Sequence, residues 1–212
     1  MPKKFKFYAL KLSLIMIAVF LLQIFVSGFT ELFVLDASHF MEMWRFLTAI
    51  FLHGGLGHLV LNLFALLLFG SVLEGLIGGR RFLLVFFATG IFANLIAINF
   101  YSSSLGASGA IFGIIGTLII VRSLLVVWAF GLPMPIFIAG ILWVIADVLG
   151  TVGFLIGNPI DNTGNIAHLS GMLLGFIFGA LWRNWANRGV RRVGGIELNE
   201  RAMRKWEDNY LR

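Results

Sequence analysis

The sequence predicts an all-α polytopic membrane protein, a bundle of six transmembrane helices, and three observations carry that expectation. Of 212 residues, 59% are hydrophobic and only 12% are charged, too little charge to cover a water-soluble surface. Apolar runs long enough to cross a bilayer recur along the whole chain. The basic residues sit beside those runs, as orientation signals do. The formal charge of +6 therefore argues for a lipid bilayer as partner and against nucleic acid. About 200 residues make one domain.

The spans are read at about residues 10–29, 57–77, 82–100, 107–130, 136–156 and 166–182. Lys3, Lys4, Lys6 and Lys11 precede or open the first. Its apolar run is too long for a signal peptide, and no small-residue cleavage site follows. Arg80 and Arg81 separate spans 2 and 3. Arg122 lies towards the inner end of span 4, and Arg183, Arg188, Arg191 and Arg192 follow span 6. The other loops carry Glu31, Asp36, Glu42 and Asp161, with Arg45 their basic residue. Both termini are thus expected in the cytoplasm, with helices 2, 4 and 6 running inward. The expected division is a membrane domain over 1–185 and a short basic cytoplasmic tail over 186–212, and the expected location is the plasma membrane of a prokaryote. Residues 30–52 form an external loop whose Phe33, Phe40, Met41, Met43, Trp44 and Phe46 suit the bilayer interface. There are no cysteines, so thiol catalysis and disulfides are excluded. Oligomeric state is not legible.

Polar groups within a membrane are costly and therefore informative. They fall in three strings. His53-Gly-Gly-Leu-Gly-His58-Leu-Val-Leu-Asn62 opens helix 2, with His58 and Asn62 one turn apart on one face. Gly106-Ala-Ser108-Gly109-Ala-Ile-Phe112-Gly113 opens helix 4. There Ser108 falls in the first turn, among free backbone N–H groups at the positive end of the helix. Ser102, Ser103 and Ser104 are expected to cap that helix. Asn165-Ile-Ala-His168-Leu-Ser-Gly171-Met-Leu-Leu-Gly175 opens helix 6, with His168, Gly171, Gly175 and Gly179 on one face. Taken singly, each string suits helix packing as well as chemistry.

Topology separates those readings. If helices 2, 4 and 6 run in one direction, their first turns lie at one depth. His58, Asn62, Ser108 and His168 can then meet in one cavity, supplying a nucleophile, a base and donors for an oxyanion. A zinc protease is excluded by the absence of an H-E-x-x-H string, and the site calls for no metal and no cofactor. An aspartyl protease needs two facing acids, whereas Glu74 and Asp147 belong at different depths. Glu74 is expected to bond the nearby 78–81 loop. Asp147 has no assigned role beyond that of a packed, hydrogen-bonded acid.

Together these strings, with Trp44-Arg45 in the first external loop, resemble the rhomboid intramembrane serine proteases over about residues 10–182. The resemblance implies that Ser108 and His168 form a catalytic dyad without an acid as third member. It implies an oxyanion hole made of His58, Asn62 and the Ser108 N–H, with His53, Gly106, Gly109, Gly171, Trp44 and Arg45 in support. Helix 5 and the 153–164 loop become gate and cap. Phe112 departs from the tyrosine common in the family, and its ring is still expected to stack on His168. The substrates implied are single-pass transmembrane proteins, cut near the outer end of their helix. Two other classes compete: a catalytically silent relative that binds membrane helices, and a small transporter. Ser108 and His168 argue against the first, and the lack of an inverted repeat against the second.

Overall fold

The computed structural model describes residues 6–159 and 164–193. Lys3, Lys4, Asp161, the centre of the presumptive cap and the tail beyond Val193 lie outside the described residues. Among the described residues, six helices build the bundle. Helix 1 is Tyr8–Phe25, helix 2 Leu56–Ile77 and helix 3 Gly79–Ala97. Helix 4 is Ser108–Val121, helix 5 Ile136–Leu155 and helix 6 Asn165–Val193. Five of them are long and apolar enough to cross a bilayer, and helix 4 is a shorter apolar helix. The chain is an integral, multi-pass membrane protein.

Helix 4 is the centre of the bundle. Ala110, Ile114, Thr117 and Leu118 are fully buried, whereas helix 1 turns Leu14, Ile15, Leu21 and Phe25 outward. Outward apolar side chains are expected where the solvent is lipid. Glycines let the neighbours of helix 4 approach its backbone. A Cβ on Gly171 would run into the Gly109 carbonyl, and one on Gly175 into the Gly113 carbonyl. On the other flank, a Cβ on Gly113 would overlap Thr89 of helix 3. The Thr117 hydroxyl lies 2.9 Å from Gly113 O and 3.0 Å from Gly175 O, and can donate to either across the seam. Small residues and interhelical hydrogen bonds replace the hydrophobic driving force that lipid removes. The glycine stripe expected on helix 6 from spacing is therefore a seam in the structure.

Four features depart from the expectations. The apolar run 107–130 is not one helix: helix 4 stops at Val121, and Val126–Ala129 pairs with Leu132–Pro135 as an antiparallel hairpin. Phe130 and Gly131 both have positive φ, 54° and 78°, the backbone of a two-residue type I′ turn. Pro133 and Pro135 also disfavour a continuing helix. Ser103 and Ser104 do not cap helix 4. They pair with Asp36 and Leu35 of the first external loop, and the residue preceding the helix, Ala107, provides no side-chain cap. Glu74 does not bond the 78–81 loop through its side chain. Its carboxylate accepts the backbone N–H groups of Lys6, Tyr8 and Ala9 at 3.0, 2.8 and 3.3 Å, where a negative charge answers the free donors of the helix 1 terminus. Finally, Leu66–Gly70 forms a π turn inside helix 2, a local widening that turns Phe69 towards Trp143 of helix 5.

Candidate active site

The first turns of helices 2, 4 and 6 line one cavity of about 1460 Å³. His58 and Asn62 border it from helix 2, Ser108, Gly109 and Phe112 from helix 4, and Asn165 and His168 from helix 6. Trp143 and Phe154 of helix 5 close part of the remaining side. The three strings thus meet, as their common helix direction requires.

The loop before Ser108 is tied to the first external loop at several points. The strand pair joins Leu35 to Ser104 and Asp36 to Ser103. The Gly106 N–H donates to the Ala49 carbonyl at 2.9 Å. The Ser104 hydroxyl donates to Asn94 Oδ1 at 3.1 Å, while Asn94 Nδ2 donates to Phe46 O at 2.9 Å. Gly106 has φ +119°, and a Cβ there would lie 2.6 Å from His58 Cε1. Conformation and close approach therefore both demand glycine at this position. Ser108 follows as the first residue of helix 4. The N–H groups of its first turn have no acceptor within the helix and point towards the cavity end.

His168 is held on two sides. Its ring stacks on Phe112, with centroids 4.2 Å apart and planes 6° from parallel. Its Nδ1 lies 3.1 Å from Asp147 Oδ1 of helix 5. That partner is the residue to which the sequence assigns no role. An ionisable residue inside an apolar span was the available signal, but its pairing depends on how helices 5 and 6 are rotated, which no local pattern encodes. Among the described residues, Ser108 Oγ makes no hydrogen bond to His168. Such bonds are often long without substrate and tighten when it binds.

On the facing wall, the Gly54 N–H donates to His58 Nδ1 at 3.4 Å. A neutral ring that accepts at Nδ1 carries its hydrogen on Nε2. The Asn62 side chain is buried and donates through Nδ2 to His58 O at 2.8 Å, leaving the second amide hydrogen available.

The supporting residues divide. Gly106, Gly109 and Phe112 touch the cavity, whereas Trp44, Arg45, His53 and Gly171 do not. Arg45 is buried and locks the first loop, donating to Glu42 Oε2 at 2.6 Å and to the carbonyls of Glu31 and Val34 at 2.7 and 2.8 Å. Trp44 is exposed. His53 stands behind His58, with ring centroids 5.2 Å apart. Its backbone is clamped by Gln23 of helix 1, which accepts from His53 N at 2.9 Å and donates to His53 O at 3.2 Å. Burial, and then the neighbouring His58, push the His53 imidazole down from its ordinary 6.5 to about 4.

Residues 39–185 match the Rhomboid domain family. The chain is 34% identical over 140 residues to RHOMBOID-like protein 6, mitochondrial, of Arabidopsis thaliana, a match covering 65% of this chain and 43% of that protein. It is 38% identical over 142 residues to Rhomboid protease GluP of Bacillus subtilis, covering 66% and 26%. A shorter match, 38% over 80 residues, covers 37% of this chain and 23% of Inactive RHOMBOID-like protein 8 of Arabidopsis thaliana. The chain thus spans less than half the length of these curated relatives.

Proposed function

Because the chain belongs to the rhomboid family, we propose that it is an intramembrane serine endopeptidase with Ser108 as nucleophile and His168 as general base. The observation that carries the reading is the convergence of Ser108, His168, His58 and Asn62 on one cavity. Ser108 Oγ attacks the scissile carbonyl while His168 Nε2 takes its proton. The oxyanion is met by the Ser108 N–H, Asn62 Nδ2 and His58 Nε2, preorganised donors in a site partly shielded from water. The tetrahedral intermediate collapses, the C–N bond breaks, and His168 returns its proton to the leaving amine. A water molecule activated by the same imidazole then hydrolyses the acyl-enzyme.

The short central helix supports a cut near the outer face. Fourteen residues rise only about 21 Å, against a hydrocarbon thickness of about 30 Å. With Arg122 at the inner boundary, Ser108 lies roughly 9 Å below the outer one. Water reaches that depth through the polar end of the cavity, by Ser103, Ser104 and Asn165. The partners are single-pass transmembrane proteins whose helix unwinds near its outer end. The orientation adopted is the one with both termini in the cytoplasm of a prokaryotic cell, given by the basic residues Lys6, Arg80, Arg81, Arg122 and Arg183.

The decisive experiment is cleavage of a model transmembrane substrate by purified protein in liposomes. Wild type should cleave, and a fluorophosphonate should label it at Ser108. Ser108→Ala should do neither while remaining folded. Cleavage by Ser108→Ala at the wild-type rate would sink the proposal. A silent, helix-binding relative would bind the substrate without cutting it.

A further inference from the structure

Within Ile136–Leu155, helix 5 carries a single ionisable residue, Asp147. It is 6% exposed. One carboxylate oxygen lies 3.1 Å from His168 Nδ1, and the other is buried without a partner among the described residues. Thr151 Oγ1, one turn further on, is likewise buried and unpaired. The backbone approach beside the pair is close as well, since a Cβ on Gly150 would overlap the Asn165 side chain. A buried, half-satisfied carboxylate is a poor stabiliser. In lipid such groups persist chiefly where they serve function.

We propose that Asp147 is the positioning residue of the base, holding His168 with its hydrogen on Nδ1 so that Nε2 is free to take the proton of Ser108. This rests on the protease reading above. An ionised carboxylate only accepts hydrogen bonds, so its contact with Nδ1 fixes the tautomer as well as the ring plane. Phe112 stacking alone fixes the plane but not the tautomer, because an aromatic face does not distinguish the two ring nitrogens. Asp147 also stabilises the imidazolium formed when Oγ is deprotonated, without itself taking the proton. The chain would thereby use three residues where the family resemblance implies two. The third stands on helix 5, which also lines the cavity through Trp143 and Phe154, so the seating of that helix bears directly on the orientation of the base.

The test has two parts. In liposomes, Asp147→Asn should lower kcat by roughly 10²–10³, less than the 10⁴ known for a soluble triad because Phe112 still holds the ring. KM should stay within about twofold. The thermal midpoint should be unchanged or higher, since the unpaired buried charge is gone, and Asp147→Glu should recover part of kcat. The second part needs no turnover. Nitrogen NMR of ¹⁵N-histidine-labelled Ser108→Ala protein should find the His168 hydrogen on Nδ1, and Asp147→Asn in that background should redistribute it towards Nε2. An Nδ1 that carries no hydrogen when Asp147 is intact overturns the proposal, whether or not any variant folds. So does Asp147→Asn with wild-type kcat, or a loss of kcat that merely follows a fall in the thermal midpoint. Failure of wild type to cleave at all sinks the protease reading instead.

Discussion

The cavity has two kinds of wall. The seam between helices 4 and 6 is backbone against backbone: added Cβ atoms at Gly171 and Gly175 would strike carbonyl oxygens of helix 4. Helix 5 packs through side chains. Added Cβ atoms at Gly140 and Gly150 would strike Ile119 and the Asn165 amide instead. Side chains can change rotamer, whereas two backbones in contact have nothing to move except the helices themselves. The seam therefore holds Ser108 and His168 in fixed relation. The side-chain wall is the one able to yield by rotamer change, and it carries Asp147. The start of helix 2 forms a third wall, and the segment before it is clamped by Gln23 of helix 1 through two hydrogen bonds to the His53 backbone.

The largest effect should come from breaking the seam. Gly171→Val puts a branched side chain where the Gly109 carbonyl stands. Overpacking commonly costs 1–3 kcal/mol, and a rigid backbone neighbour pushes the cost to or beyond the top of that range. Gly75→Ala, in helix 2 with nothing near its Cβ position, should be neutral or gain up to about 1 kcal/mol from helix propensity. Thermal unfolding in detergent compares the two. A Gly171→Val protein as stable as wild type would mean that helices 4 and 6 are not locked as described.

A smaller effect is expected at the hydrogen-bonded wall. Asn62→Ala should fold normally and lose about 10²–10³ in kcat, the magnitude for one oxyanion donor. KM should change little if the contact forms only in the transition state. A rise in KM at constant kcat would recast Asn62 as a substrate-binding group.

The legible parts of the molecule were those whose signal is local. Hydropathy marked four helices to within a few residues at both ends and the start of the sixth, and helical spacing marked the glycine stripe of that helix. The three strings met because three helices that run in one direction begin at one level. What escaped required knowledge of distant partners or of backbone torsion. An unbroken apolar run is consistent with helix or buried strand, so 107–130 read as one span, although Phe130-Gly131 and the two following prolines held the turn signal. The serines at 103 and 104 are equally apt as caps or strand, and only pairing with Leu35 and Asp36 decides. Glu74 stands beside a loop in sequence but beside Tyr8 and Ala9 in space. Asp147 was conspicuous as an intramembrane acid, yet its contact with His168 depends on how helices 5 and 6 are rotated, which no local pattern encodes.

The mildest prediction distinguishes the walls by pH. Helix 4 has no titratable side chain from Ser108 to Val121, so its own packing face should be indifferent to acid. The helix 2 wall backs onto His53, whose Nδ1 meets Phe51 O at 3.2 Å and whose Nε2 is buried without a partner among the described residues. Burial and the charge of His58 hold its folded-state value near 4, against 6.5 for the free group. Between those values the unfolded chain binds more protons than the folded one, so stability rises with pH. Acidification from 6.5 towards 4 therefore removes stability, and below 4 this contribution levels off. At about 1.4 kcal/mol per unit, the loss from this residue should be about 2 kcal/mol by pH 4.5. His53→Phe keeps an aromatic ring behind His58 but cannot be protonated. Thermal unfolding at pH 7.5 and 4.5 should give a smaller acid-induced drop for His53→Phe than for wild type. Equal drops in the two proteins would mean that His53 is already hydrated in the folded state, and that the helix 2 wall is looser than its hydrogen bonds imply.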